Sequence, residues 1–324
     1  MVKFFIGLHH PSVAWGFERA FISVNALVGR KRGFRVNAWI MDSGAYEQIS
    51  AKGGFKLSVR EYAQEIERWA GLGGLEAAVT QDWMCEGFIL AKTGKSVREH
   101  QLLTTEGYSK LRELSRVYIM PVLQGYRVEE YLEHLEAYGK LLEPGVWVGV
   151  GSVCKRNTNP DAIEDVLVAI KRARPDLRLH GFGLKIQALE RPTVRALLAS
   201  SDSMAWSYEG RRNGDSNDPR RALRYVAKVE EILKGPCLVQ EQLFCGVHGA
   251  NGILPGSNSV LGEVQGGSST GAKNAKTLIS IAGAAGCGST WDRSQREALF
   301  MDEGDTPVRV AQVLSGERKS AAWE

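Results

Sequence analysis

The sequence predicts an α/β fold, a (β/α)8 TIM-like barrel carrying a loop-rich C-terminal extension. Three observations predict it. Short β-branched and aromatic runs alternate with longer segments of helical period. The alternation recurs along the first 235 residues, and repeats of that length imply parallel strands joined by right-handed crossovers. Nearly every strand run is followed directly by polar residues, which a barrel gathers at one mouth. An open doubly wound sheet would concentrate them at a single switch point instead.

The elements follow in order. Val2–Leu8 reads as a strand and Pro11–Val28 as a helix. Arg35–Met41 is the next strand, and Val59–Trp69 carries apolar residues at helical spacing. Leu75–Thr80 is strand-like, and a helix runs from about Ser96 to Leu114. Val117–Leu123 is a strand before the helix Val128–Leu142, and Val146–Val150 a strand before the helix Asp161–Arg172. Leu177–Phe182 is a strand, Arg191–Ala199 a helix, Asp202–Trp206 a short extended run and Arg220–Leu233 a helix. Cys237–Gln240 is the candidate for the eighth strand. This divides the chain into a barrel domain, 1–235, and an extension, 236–324, that completes the barrel or packs on it. Within the extension, Gly246–Gly271 is rich in Gly, Ser and Asn and reads as a long loop.

Composition bounds the class. The chain has 324 residues, 44% hydrophobic and 24% charged, enough apolar content to bury a full core and too much for disorder. No apolar run reaches the ~18 residues of a transmembrane helix, and the N-terminus lacks the pattern of a signal peptide. The five cysteines are odd in number and scattered, as expected for reduced thiols of a cytoplasmic protein. A net charge of +4 permits a polyanionic partner without requiring one.

The strand ends carry the chemistry. One strand runs into Asp42-Ser43-Gly44, another into Asp82, another into Gln124-Gly125. Gly149 and Gly151 alternate through a fourth, and Asp202-Ser203 close a fifth. In a barrel, Asp42, Asp82, Gln124 and Asp202 meet at the C-terminal mouth. Three carboxylates in one confined pocket repel, so at least one holds its proton more tightly. That suits one ionised nucleophile beside one general acid. Glycines at 44, 125, 149 and 151 let a flat ligand lie against bare backbone. Any one Asp or Gly after a strand is as well explained as a turn or cap residue, but the recurrence at strand after strand is not.

Basic residues ring the same mouth: Lys155 and Arg156 after one strand, Arg211 and Arg212 after another, with Arg220, Arg221 and Arg224 following. An anionic floor inside a cationic rim suits a phosphodiester chain with one base inserted. Trp83, Tyr126, Trp206 and Tyr208 lie near enough in sequence to stack on that base, or to pack the barrel top. Other signals are weaker. Cys237, Cys245 and His248 lack paired zinc-ligand spacing. The Gly266–Lys273 run misses a phosphate-binding loop by one residue. Cys154 has no adjacent histidine base. We expect no metal and no cofactor.

These motifs resemble a known family. Ile40–Tyr46 is similar to the DSGGF-type segment of tRNA-guanine transglycosylases, Gln124-Gly125 to their QG element, and Val148–Ser152 to their glycine-rich strand. Asp202-Ser203-x-x-Trp206 with Arg211 resembles the nucleophile segment of the archaeal branch. The segments at 81–86, 121–126, 148–157, 179–185 and 202–207 more closely resemble the DNA-acting relatives, the deazapurine DNA modification transglycosylases. The resemblance spans about residues 3–230. It implies that Asp202 attacks the sugar C1′, that Asp42 is general acid and base, and that Asp82, Gln124, Gly125, Gly149, Gly151 and Ser43 bind the base. Lys155, Arg156, Arg211, Arg212 and Trp206 would contact DNA. The tRNA enzymes carry a C-x-C-x2-C…H zinc site that this chain lacks, which points to DNA as the polymer.

Two outcomes share this chemistry. The first expectation is exchange of guanine in DNA for a free 7-deazaguanine. The alternative is hydrolytic excision of a modified base, leaving an abasic site, as in anti-phage defence. A non-catalytic DNA binder is disfavoured because it would gain by losing Asp42, Asp82 and Asp202. A barrel enzyme acting on a small metabolite is the remaining class. Oligomeric state and strandedness are not encoded in these motifs.

Overall fold

The computed structural model describes residues 2–208 and 217–236. Its strands are β1 (Lys3–Gly7), β2 (Arg19–Ser23), β3 (Ala38–Asp42), β4 (Leu75–Val79), β5 (Ile119–Met120), β6 (Val122–Leu123), β7 (Trp147–Val150), β8 (Arg178–Gly181) and β9 (Leu198–Ser203). All pair in parallel in the order β5-β4-β3-β2-β1-β9-β8-β7-β6. The two ends of that order are neighbours in the chain, separated only by Pro121. Thr80 N–H donates to the Met120 carbonyl on one side, and Gly149 N–H to the Pro121 carbonyl on the other. β5 and β6 are therefore one stave interrupted by a residue without an N–H. The sheet closes as a barrel of eight staves.

The period-2 alternation of strands divides each stave between two cores. Phe4 and Ile6 of β1, and Trp39 and Met41 of β3, face the outer core beneath the helices. Phe5, Ile40, Ala77, Val79, Met120 and Val122 fill the barrel interior. One step nearer the C-terminal end, the same inward rows stop being apolar: Ile40 leads to Asp42, Val122 to Gln124 and Phe5 to Gly7. The switch from interior filling to open polar mouth thus occurs within two residues on stave after stave.

The principal helices are α1 (Ala45–Lys52), α2 (Val59–Ala70), α3 (Gly87–Thr93), α4 (Val97–Leu114), α5 (Val128–Tyr138), α6 (Pro160–Ala173), α7 (Ile186–Leu189), α8 (Pro192–Leu197) and α9 (Pro219–Lys234). α2 and α4 each start with a reciprocal capping box, Ser58 with Glu61 and Ser96 with Glu99. Gly44 precedes α1 at φ 72°, a left-handed conformation that glycine adopts without a Cβ clash. Among the described residues no helix is long and apolar enough to cross a membrane.

Two expectations are corrected. The helix expected over Pro11–Val28 is instead a 3-10 turn, β2 and a second 3-10 turn. β2 completes the eight staves, with Gly7 opposite Phe21 and Ser23 opposite Asp42. The helix expected over Arg191–Ala199 ends at Leu197, and Leu198 already belongs to β9, which extends through Asp202. The candidate for the eighth strand, Cys237–Gln240, lies outside the described residues. Residues 241–324 also lie outside the described residues, with Cys245, His248 and the Gly266–Lys273 run.

Candidate active site

A cavity of about 440 Å³ opens at the C-terminal mouth. Gly7, Ser23 and Gly151 leave space on its wall, while Asp42, Gln124 and Asp202 place polar atoms there. Asp82, on the loop leaving β4, joins them.

The carboxyls are not equivalent. Asp42 is pushed up to about 7, first by burial and then by the nearby charges of Asp82 and Asp202, against hydrogen bonds from Gly44 and Ser23. Its Oδ2 accepts from Gly44 N–H at 3.0 Å. Burial lifts Asp82 to about 6, and hydrogen bonds from Ser43 and Gln124 limit the rise. Ser43 Oγ donates to Asp82 Oδ1 at 3.1 Å, and Gln124 Nε2 to Oδ2 at 2.5 Å. Ser152 Oγ donates to Gln124 Oε1 at 3.0 Å, which fixes the orientation of the amide. Ser152 is at φ 58°, the one non-glycine residue with positive φ among those described. Holding a serine there costs of order 1 kcal/mol, a strain typical of residues that must aim a side chain at a site.

Asp202 is anchored from below. Its Oδ1 accepts from Gly183 N–H at 2.9 Å and lies 3.3 Å from His180 Nε2. His180 Nδ1 is 2.8 Å from Ser200 Oγ, which accepts the Trp147 indole N–H at 2.7 Å. A carboxylate can only accept, so His180 donates from Nε2 and accepts at Nδ1. The bonds then run one way: Trp147 to Ser200, Ser200 to His180, His180 to Asp202.

Gly151 is required by close approach. A Cβ there would lie 2.3 Å from Gln124 Nε2. Gly149 sits one layer deeper, where a Cβ would lie 2.3 Å from the Phe182 ring, and it is not on the cavity wall. Gly125 is off the wall too; a Cβ there would lie 3.0 Å from Glu130 and from the Tyr131 backbone. Ser43 reaches the site through Asp82.

On the rim, Lys155 lines the cavity, with Nζ 3.1 Å from the Tyr46 hydroxyl and 4.3 Å from its ring centroid. The Arg156 guanidinium lies over Tyr126 at 4.7 Å, and its Nε and Nη2 are buried without a partner. Trp206 is 7% exposed and donates its indole N–H to the Gly7 carbonyl at 2.8 Å. Of the aromatics near the mouth, Tyr126, Tyr208 and Tyr46 are exposed, at 48%, 43% and 40%. Arg211 and Arg212 lie outside the described residues. Burial pushes the Cys154 thiol up to about 12, so it is no thiolate near neutrality.

Four contributors escaped sequence reading: His180, Ser152, Lys185 and Glu86. Glu86 is buried on the cavity wall, burial raises its pKa, and its Oε2 has no partner. His180 has the clearest sequence signal, since it shares an inward row with Phe182 two residues on.

Fold and site define a class: a closed α/β barrel with a cluster of carboxyls of unequal acidity at its C-terminal mouth. A family model described as DpdA, deoxypurine in DNA protein A, matches residues 1–220. The chain belongs to that family, which modifies DNA with deazapurines and is related to tRNA-guanine transglycosylase. Its members are transglycosylase-type enzymes acting on DNA. A search of curated proteins finds no match.

Proposed function

We propose that this chain exchanges guanine in DNA for a free 7-deazaguanine, through a covalent intermediate on Asp202. The observation that carries the reading is the elevation of Asp42 to about 7, beside the anchored carboxyl of Asp202. One group can hold a proton near neutrality, while the other accepts hydrogen bonds along one edge.

The steps balance. A nucleotide is turned out of the strand into the cavity. An Asp202 oxygen attacks C1′ as the C1′–N9 bond breaks through an oxocarbenium-like state. Asp42 gives its proton to the departing guanine. The entering deazaguanine gives its N9 proton to Asp42 and attacks C1′, releasing Asp202. Asp82, Gln124 and the Gly151 backbone bind the edge of each base in turn, and Lys155 and Arg156 hold phosphates at the rim.

The test is a mass and gel assay on duplex and single-stranded DNA, with and without free 7-cyano-7-deazaguanine. Incorporation with an intact backbone is the expected result. Alkali-sensitive strand breaks that form without added base would replace exchange by excision. No change to the DNA under either condition would overturn both.

A further inference from the structure

Glu86 is a buried carboxyl that the proposed chemistry leaves unused. It lines the catalytic cavity and is 3% exposed. Its backbone carbonyl starts α3, accepting from Ile89 N–H at 2.8 Å, but its side chain does not cap that helix. Oε2 is buried without a hydrogen-bond partner. The loop that carries Glu86 is held from two directions. Trp83 N–H donates to Thr104 Oγ1 at 2.8 Å, and Cys85 N–H to Ser152 Oγ at 3.4 Å. Burial raises the carboxyl above its ordinary range, with a smaller upward push from the charge of Asp82; its own backbone N–H, Lys155 and Ser152 pull the other way.

A buried polar atom without a partner is costly unless a bound molecule supplies one. An ionised Oε2 lacks a donor, and a protonated one lacks an acceptor. Burial favours the protonated form, so the missing partner is an acceptor. Hydrogen bonds set the order of groups along the wall. Gln124 bonds Asp82 at 2.5 Å, and Ser152 bonds Gln124 at 3.0 Å. Ser152 in turn lies close enough to Glu86 to bear on its acidity. The edge of guanine runs in a matching order: the N2 and N1 donors, the O6 acceptor, then the N7 acceptor. With the donors on Asp82 and O6 on Gln124, the position-7 side of the base reaches Glu86. Guanine has an acceptor there. A 7-deazaguanine has a carbon instead, and regains an acceptor only through a substituent. We infer that Glu86 selects the entering base, donating from Oε2 to an acceptor carried on C7, such as a nitrile nitrogen or a carboxamide oxygen. The inference rests on the proposed function and names the class of base taken by that same site.

The experiment runs the exchange assay on the full chain with two free bases, 7-cyano-7-deazaguanine and unsubstituted 7-deazaguanine. The ratio of their kcat/KM values is measured for wild type, Glu86→Gln and Glu86→Leu, with melting curves to check the fold of each. Wild type is expected to favour the cyano base about 10-fold, the worth of one well-made neutral hydrogen bond. Glu86→Gln still carries a donor and is expected to keep most of that preference. Glu86→Leu has no donor, and its ratio is expected to fall to about 1. Wild type that uses the two bases equally would overturn the assignment without recourse to any variant. A preference that survives in a folded Glu86→Leu would overturn it as well, because a merely structural role weakens both bases alike. So would a preference lost in Glu86→Gln, whose amide can still donate. Each of these results leaves exchange itself standing. Wild type that incorporates neither base would overturn the functional reading, and the assignment of Glu86 with it.

Discussion

Replacing Asp42 with Asn should stabilise the protein at alkaline pH while abolishing turnover. The carboxyl has an ordinary value of 3.8 and is held at about 7 in the fold. Between those values the native state keeps a proton that the unfolded chain has released. Stability therefore falls as pH rises through the window from about 4 to about 7 and is level above it. At about 1.4 kcal/mol per pH unit, the full effect is about 4 kcal/mol. Asn carries no charge, and its amide oxygen can still accept from Gly44 N–H. Part of the elevation comes from Asp82 and Asp202, and relaxation on ionisation reduces the rest. A realised gain of about half, near 2 kcal/mol, raises the melting temperature by roughly 3 °C for a chain of 324 residues. The assay is thermal melting of wild type and Asp42→Asn from pH 4.5 to 8.5. The two curves should coincide at the acid end and separate toward pH 8. A constant separation across the range would refute the reasoning, because it would show that Asp42 carries no folding-linked proton.

The other predictions concern turnover. In wild type, kcat/KM should fall as pH rises above about 7, because Asp42 then lacks the proton it gives the leaving base; a profile that keeps rising to pH 9 would remove Asp42 from that role. Asp202→Ala should abolish both turnover and any covalent protein–DNA adduct seen by mass spectrometry, and retained turnover would exclude it as nucleophile. His180→Phe removes the donor to Asp202 and should lower kcat about 10–100-fold, the worth of a hydrogen bond to a charged group, with a shifted pH profile that loss of packing alone would not give. Gly151→Ala places a methyl within 2.3 Å of Gln124 Nε2. It should raise KM for the entering base, and an unaltered KM would detach Gln124 from base binding.

The barrel was legible in sequence wherever a strand ran four or more apolar residues into a polar end. β2 was not, for a physical reason. Arg19–Ser23 is five residues between two 3-10 turns, and Val13, Phe17 and Phe21 fall at i, i+4 and i+8, imitating one face of a helix. Its burial alternates at period two, with Ala20 and Ile22 turned to the outer core and Phe21 and Ser23 to the mouth. Asp42, Asp82, Gln124 and Asp202 were legible because they lie at strand ends or just past them. His180 and Ser152 were not, because their contribution depends on register. His180 pairs with Ser200 across β8 and β9, and no spacing within either segment reveals that pairing. Gly149 shows the converse limit. It shares a motif with Gly151 but sits one layer deeper, beside Phe182.

Four carboxyls in one cavity, those of Asp42, Asp82, Glu86 and Asp202, oppose folding when ionised, and they oppose the approach of a polyanion. A protein selected only to bind DNA would be improved by losing them. Their positions are instead supported: Gly183 and His180 hold Asp202, Ser43 and Gln124 hold Asp82, and a strained Ser152 holds Gln124. Support of that kind makes sense where each group has its own task at a reacting bond. On the proposed function, the proton held by Asp42 lowers the charge of the floor as a strand enters. On the same reading, Lys155 and Arg156 at the rim offset what remains. On the proposed mechanism, the same proton then goes to the leaving base, so the group that eases DNA entry is also the one that starts the chemistry.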